Sequence, residues 1–585
     1  MRRLAVAAWL LTLPAGCAPQ AIRGALDVDP DPDAPGAPGQ VDPEATTPRA
    51  RAVALTPQRM VRDAPAVSQR PAPPQAPPPP PPPPPPAAGA AGPDLTRCAP
   101  PLPVDAPAVT YVCDCQAGAD PACVPGADTN PGTAQAPLQT FTAAMSRFNQ
   151  LTSGQAVALC RGGAWQTADN RVRRTACSAD DRCVLGDYTA PWGDGGEAAP
   201  ALTLSNPTGN LISMDSGSGV TVEGLEVRNL TLRGPGIEGV GIFVYREINH
   251  VKLSCMDLSG FDIAINIHAW GTDVVLEDAV VHDNGGHGWL GGCNACGIRR
   301  ARFDNNGAGW AAVGRGSLAH NVYVSGGSTG MFVESVHSTR SAVDDQGACT
   351  GIPITAHGGV MHDLRIVGNL IEEPNAGLGC WGISVDSASM DPDGNRRALI
   401  ANNVLVNVGN VGIGLASCED CTVENNVIVQ ERIGGMRAIV MPVRQRSADD
   451  LASDRVVVRH NTVYFAGGGQ GTGVAVGGEG SAHVVANNIV AFTGQSGECY
   501  RLDLASDAYA GLDGNLCFGG TMSPGSTGLD GLTLVADPQF VAAPEDLSLS
   551  ASSPAVDSGD PSQATDCDLM GQPRDAHPDR GAYER

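Results

Sequence analysis

Aromatic residues are scarce: Phe, Trp and Tyr together make up 4% of the 585 residues. A globular enzyme of this length packs more of them, whereas a solenoid built from thin layers of Val, Ile, Leu and Ala needs fewer. Basic residues are few as well, 37 Lys and Arg against 62 Asp and Glu, for a formal net charge of -25. That balance favours solubility and speaks against nucleic acid as a partner, because non-specific binding needs a basic footprint. It leaves room for a local basic groove. The apolar stretch at the N-terminus, Leu4–Leu13, is too short to span a bilayer, which takes about 20 residues.

What is present is unevenly spread. Most of the 47 prolines precede residue 108, and most of the 73 glycines follow residue 190. The 18 cysteines point to an oxidising compartment. Met1–Gly16 reads as a secretory signal, with Arg2 and Arg3 as its positive start. Leu13-Pro14-Ala15-Gly16-Cys17 resembles the bacterial lipobox, departing from it at Pro14, where the usual pattern has leucine. The resemblance implies a lipid on Cys17, and Ala18 after it implies sorting to the outer membrane. Setting Cys17 aside leaves an odd number of cysteines, so at least one free or intermolecular thiol is expected.

Residues 18–105 carry no apolar periodicity and end in ten consecutive prolines, Pro77–Pro86. Such a segment cannot bury enough surface to offset its ordering entropy. It is expected to be a disordered tether whose proline run forms a polyproline II rod of roughly 30 Å.

From about residue 200 one phrase recurs. Val220-Thr-Val-Glu-Gly-Leu-Glu-Val, Val274-Val-Leu-Glu-Asp-Ala-Val-Val and Thr422-Val-Glu-Asn-Asn-Val-Ile-Val are three copies. Aligning the copies predicts one column: Leu225, Met256, Ala279, Ala301, Val322, Leu364, Asn403, Asn426, Asn461, Asn488 and Asn515. A second alternating phrase recurs as Gly241-Ile-Phe-Val, Ala264-Ile-Asn-Ile, Gly382-Ile-Ser-Val and Gly412-Ile-Gly-Leu. Short alternating strands separated by Gly and Asn turns, at a step of about 21 to 23 residues, describe an all-β, single-stranded right-handed parallel β-helix of roughly ten to twelve coils. Stacked asparagines at a fixed bend hydrogen-bond along the ladder and tolerate left-handed backbone.

A solenoid must cover its ends. At the N-terminal end, Leu138, Phe141, Met145 and Phe148 have the spacing of an amphipathic capping helix. The preceding Asp128-Thr-Asn-Pro-Gly-Thr resembles the opening of secreted pectate-lyase-like β-helix proteins. At the other end, Asp537-Pro-Gln-Phe-Val, Ser553-Pro-Ala-Val-Asp-Ser-Gly-Asp-Pro and Asp579-Arg-Gly-Ala-Tyr-Glu resemble the choice-of-anchor Q module of bacterial surface proteins. No sorting tail follows Arg585, which leaves Cys17 as the expected anchor and a lipid as the only expected contact with membrane. The organisation read from the chain is a signal and lipidated cysteine at 1–17, a linker at 18–105 and an N-terminal cap with first coils at 106–200. β-Helix repeats follow at 201–535, and a C-terminal cap at 536–585.

Two C-x-x-C pairs, Cys293/Cys296 and Cys418/Cys421, have zinc-like spacing. Both sit just before a strand but about five coils apart, roughly 24 Å at ~4.8 Å per coil, so they cannot share one metal. Turn-closing disulfides or buried thiols are expected, and no metal site is assigned. Cys160, Cys177 and Cys183 are expected to staple an N-terminal excursion, with Cys113, Cys115 and Cys123 nearby. Asp391-Pro-Asp-Gly-Asn contains part of a calcium loop without the distal glutamate and reads as a turn. Calcium is compatible with the sequence; no cofactor is required by it.

Seven of the eleven histidines lie between residues 268 and 362, which places a candidate site in the middle coils. Gly286-His287-Gly288 resembles the G-H-G of polygalacturonases, and Asp262 lies one coil earlier, within a residue of the same register. The paired aspartates and the Arg-x-Lys phrase of that family are missing. His320-Asn-Val-Tyr-Val-Ser resembles a segment of some bacterial β-helix proteins, and it sets an imidazole beside a phenol, Tyr323, as base and acid of a lyase. The interval from Val322 to Leu364, with Glu334, His337, Arg340, Asp344, Asp345 and His357, reads as a loop-bearing stretch over the groove. Arg299, Arg302 and Arg315 are candidate carboxylate binders. The expected partner is a polysaccharide and the expected state a monomer. Two functions follow from the residues: lyase-like cleavage of an acidic glycan, or a non-catalytic glycan-binding or adhesive module. Fold alone does not choose between them.

Overall fold

In the repeat phrases every second residue is apolar, and the bends between them fall on residues that tolerate left-handed backbone. The computed structural model shows the outcome. It describes residues 92–585 except 174–175, 216–221, 308, 311–318, 344–348, 350, 375–379, 388–391, 433–434, 444–446, 467–470, 495–496 and 523–531. The chain is a right-handed parallel β-helix, the hand that crossovers between parallel strands take. Each coil contributes a strand to three ladders in turn. The first ladder begins at Val109–Val112 and ends at Tyr509–Gly511. The second runs from Ala164–Thr167 to Thr533–Val535 and has fourteen strands, more than the ten to twelve coils expected. The third runs from Asn170–Val172 to Thr521–Met522.

The interior is filled by columns, one residue per coil. Ile242, Ile265, Trp289, Val322, Ile354, Ile383 and Ile413 form one of them on the third ladder, and all are buried. Each such side chain contributes about 1.5–3 kcal/mol by burial.

The bend between the first and second ladders carries the asparagines. Asn403, Asn426, Asn461 and Asn488 stack as expected. Each Nδ2 donates to the Oδ1 of the asparagine one coil on, at 2.9 to 3.1 Å. The same Oδ1 also accepts a backbone N–H from the coil before, as Asn426 does from Asn403 at 3.0 Å. The left-handed residue is the one ahead of the column, as at Asn402, Asn425, His460 and Asn487, and not the stacked asparagine itself. The register also corrects three members of the predicted column. The strands that begin at Thr231, His337 and Leu370 put Leu230, Val336 and Asn369 there, in place of Leu225, Val322 and Leu364. Leu225 and Leu364 belong to the first ladder and Val322 to the third. Strands Phe332–Glu334, His337–Thr339 and Ile354–Ala356 lie within the interval from Val322 to Leu364, so Glu334 and His337 stand on ladder strands; residues 344–348 and 350, between the last two strands, lie outside the described residues.

At the N-terminal end, helix α1 (Phe141–Phe148) buries Phe141, Ala144, Met145 and Phe148. The Thr140 side chain caps it by accepting from Ala143 N, and the Asp128 carboxylate accepts from the N–H groups of Gln139 and Thr140. Leu138 precedes the helix and bridges to Val112 in the sheet. Residues 92–102 run as a strap outside the coils. Gly92 N donates to Ser335 O, Asp94 N to the Asp278 carboxylate, and Leu102 N to Asp187 O. Cys98 is disulfide-bonded to Cys255. The C-terminal segment lies along the outer face of the second ladder: Leu547, Leu569 and Ala582 pack on Val427, Val429, Tyr464 and Ala491. Arg574 is buried there, paired with Glu584 at 2.8 Å and donating to Asn425. The segment is therefore a flank across several coils, because its apolar residues match that face.

Both C-x-x-C pairs are disulfides, Cys293–Cys296 and Cys418–Cys421. Cys296 and Cys421 precede paired strands four coils apart, one fewer than expected. Cys177–Cys183 closes the N-terminal excursion, while Cys113–Cys160 and Cys115–Cys123 tie down the first coils. No described cysteine is a free thiol, so the expected odd thiol is not found among the described residues. Cys17 and residues 18–91 of the expected tether lie outside the described residues, as do Arg315, Asp344, Asp345 and Asp391; the last stretch of that expected tether, 92–105, is instead ordered as the strap, because Cys98 and the backbone of Gly92, Asp94 and Leu102 tie it to the coils.

Candidate functional site

The bend between the second and third ladders differs from the asparagine bend in what it supports. Asn284, Asn306 and Asn321 form a short ladder of their own there, with Asn284 Nδ2 donating to Asn306 Oδ1 at 2.7 Å and Asn306 Nδ2 to Asn321 Oδ1 at 2.9 Å. His287 and His320 stand next to this ladder, each at the entry to a third-ladder strand. Gly286 and Gly288 flank His287 because a Cβ at either place meets Trp310, or Asn321 O and Phe303, within 2.6 Å. Close packing thus accounts for the G-H-G phrase.

The rings converge. His287 and His320 are 5.4 Å apart by centroid, His287 and Tyr323 5.6 Å, and His320 and Tyr323 5.4 Å. His357 lies 4.6 Å from Tyr323, and its Nδ1 is 3.1 Å from the phenol oxygen. His357 stands two residues beyond Thr355, the register partner of Tyr323, so both rings emerge on the outer face of the third ladder. Trp310 packs edge-on to His287 at 5.1 Å, and its Nε1 donates to the Asp262 carboxylate. Asp262 therefore joins the cluster through Trp310, as a group that positions the indole.

Backbone hydrogen bonds fix two of the imidazoles. His320 N donates to His287 Nδ1 at 3.1 Å, and Ile352 N donates to His320 Nδ1 at 3.1 Å. A ring nitrogen that accepts is unprotonated, so each neutral ring carries its proton on Nε2. Burial pulls the His287 pKa down to about 4, which keeps that ring neutral in neutral solution. His287 and His320 are 4% and 2% exposed and form part of a packed wall. The Asp393 carboxylate accepts from Gly358 N and Gly359 N at 3.0 to 3.1 Å, fixing the turn after His357.

The two described candidate arginines stand elsewhere. Arg299 is on the first ladder, 3.7 Å from Glu277 and over the Phe332 ring, and Arg302 is on the second, 2.7 Å from Asp304. Of the residues of the Val322–Leu364 interval, Glu334 pairs with Arg365, His337 with Glu372 and Arg340 with Asp304; among the described ones singled out there, His357 alone reaches the cluster. The sequence reading left out Trp310, took Asp393 only as part of a turn, and gave His357 no catalytic role. The available signal for His357 was its phase, three residues past the start of the strand Ile354–Ala356.

No family model and no curated protein sequence matches this chain. Among solved structures it is similar to the pectate lyase Pel9A, at 13% identity over 82% of this chain and 97% of that one, with a TM-score of 0.38. It is similar also to the catalytic unit of a GH87 α-1,3-glucanase from Streptomyces thermodiastaticus strain HF3-3, at 13% identity, 68% and 67% coverage and a TM-score of 0.40. A third is the alginate lyase from Paenibacillus sp. str. FPU-7, at 12% identity, 65% and 97% coverage and a TM-score of 0.28. At these values the likeness carries no argument about chemistry.

Proposed function

We propose that the protein binds polysaccharide along the outer face of the third ladder and cleaves an acidic glycan there by β-elimination. The observation that carries this reading is the Tyr323 hydroxyl at 3.1 Å from His357 Nδ1, flanked by two imidazoles whose tautomers are fixed. In this reading Tyr323 and His357 act as the proton-transferring pair. The pair takes the proton beside the uronate carboxylate, and a proton is returned to the glycosidic oxygen as its bond to the ring breaks. A carbon–carbon double bond remains in the product. In this reading the Nε2 protons of His287 and His320 donate to charge developing on the carboxylate. The base is thus assigned to the Tyr323–His357 pair in place of His320, whose Nδ1 already accepts a backbone N–H.

The test is ultraviolet absorbance of the unsaturated uronate during incubation with polygalacturonate and alginate, alongside a reducing-sugar assay for hydrolysis. Absorbance growth that is lost in Tyr323→Phe supports the lyase. A second reading, a non-catalytic glycan-binding or adhesive module, is favoured by the burial of His287 and His320, which also suits a purely packing role. Retention on glycan with no product in either assay would leave that reading standing.

The same proposal places the protein, exported and monomeric, on the outer membrane through a lipid on Cys17. Cys17→Ser is expected to release it from the membrane fraction; unchanged partition rejects the anchor.

A further inference from the structure

Three coils before Tyr323, the same outer face carries a second group of rings. Register links Phe243 to Asn266, Asn266 to Leu290 and Leu290 to Tyr323, so the two groups share one line about 14 Å long at ~4.8 Å per coil. Phe243 and Tyr245 are stacked 5.7 Å apart, His268 lies 6.1 Å from Phe243, and Trp270 lies 6.3 Å from Tyr245. Trp270 is 68% exposed, the one aromatic among the exposed large apolar side chains of the described residues.

Its exposure is built into the backbone. The strand Ile263–Glu277 runs from the third ladder into the first with a register shift between His268 and Thr272. At the corner, a Cβ on Gly271 would meet Ile248 O at 1.9 Å, so only glycine lets the chain pass this close. The turn throws the preceding indole outward.

We infer that Trp270 and Tyr245 form a remote subsite for a sugar ring of a long glycan whose reactive unit lies at Tyr323. The argument for a sugar is twofold. An indole face takes the C–H face of a pyranose through its negative quadrupole. Tyr245 stands three coils and Trp270 two coils before Tyr323, roughly 10 to 14 Å along the axis at ~4.8 Å per coil, a span that a short run of sugar units covers. The inference rests on the glycan-binding part of the function proposed above and is independent of whether cleavage occurs.

The experiment compares the full chain with Trp270→Ala and Trp270→Phe. Affinity electrophoresis is run in gels containing polygalacturonate, alginate or a neutral β-glucan, and disaccharide binding is followed by calorimetry. Trp270→Ala is expected to weaken retention on the preferred polymer roughly tenfold, the size of one aromatic contact. Trp270→Phe keeps most of the retention, and disaccharide binding at the Tyr323 end is unchanged in both. Undiminished retention of Trp270→Ala, or an equal loss on disaccharide and polymer, overturns the subsite. Retention by the parent without any unsaturated product overturns the lyase alone. Passage of the parent unretained through all three gels overturns both.

Discussion

The third ladder presents two different outer faces along one continuous column. In the middle coils the column reads Leu290, Tyr323, Thr355, with His357 beside it; further on it reads Gly414, Val440, Ala475. Those C-terminal residues are covered by their own small cluster, in which Val440 and Ala475 pack with Val411, Ala416 and Val443. The same coils carry the unbroken asparagine ladder from Asn369 to Asn515, whereas the middle coils have Met256, Ala279, Ala301 and Val336 at that bend. One half of the solenoid is thus saturated and closed on its flank, and the other concentrates rings and N–H donors on an outer face. Chemistry, if the fold hosts any, belongs to the half whose outer face is not already packed.

The comparison is broken most decisively at Tyr323. Tyr323→Phe keeps the ring and removes the hydroxyl, so turnover of an acidic glycan is expected to fall about a thousandfold while unfolding stays near that of the parent. A parent-like rate would move the site off this face.

The pH dependence of stability comes next. The His287 pKa falls from an unfolded value near 6.5 to about 4, so the folded state resists protonation. Stability from this group is complete above about pH 6.5, declines as pH falls, and is lost through about pH 4, amounting to some 3 kcal/mol. Urea titrations across that window are expected to show the slope, and His287→Gln to flatten it. No comparable group lies on the bland column of Gly414, Val440 and Ala475.

In the saturated half, Asn426→Ala removes bonds to Asn403, Asn461 and Ile400 at once. A loss of about 2 kcal/mol in denaturant unfolding is expected, with activity unchanged. The smallest effect is expected at Arg302→Ala. Its partner Asp304 is also held by Arg340, and the pair is partly exposed, so stability shifts by less than about 1 kcal/mol. Product formation should not change, since Arg302 is on another ladder; a collapse of activity would return the arginines to the site.

The winding of the chain was legible because period and alternation act locally, and Asn403, Asn426, Asn461 and Asn488 mark themselves. The column was misread at Val322 and Leu364 because apolar residues occur on all three ladders, and nothing in a valine tells which. Steps of uneven length compound this: 23 residues separate Asn403 from Asn426, but 35 separate Asn426 from Asn461. The gathering of His287, His320 and Tyr323 was legible from shared phase. Their protonation was not, because each Nδ1 is occupied by a backbone N–H, His287 by His320 and His320 by Ile352, more than thirty residues on. The arginines were chosen for charge, and charge says nothing about which face of a prism a residue occupies.

The strap gives the molecule an off-centre handle. Tension arriving at Gly92 meets the hydrogen bonds to Ser335 and Asp278, then the Cys98–Cys255 bond, before it reaches Val109, where the coils begin. The covalent stop at Cys255 short-circuits everything wound between residues 109 and 254. A pull between the N-terminal side and a glycan held near Tyr323 therefore loads only the few coils from Cys255 onward. The capping helix and the first coils remain slack.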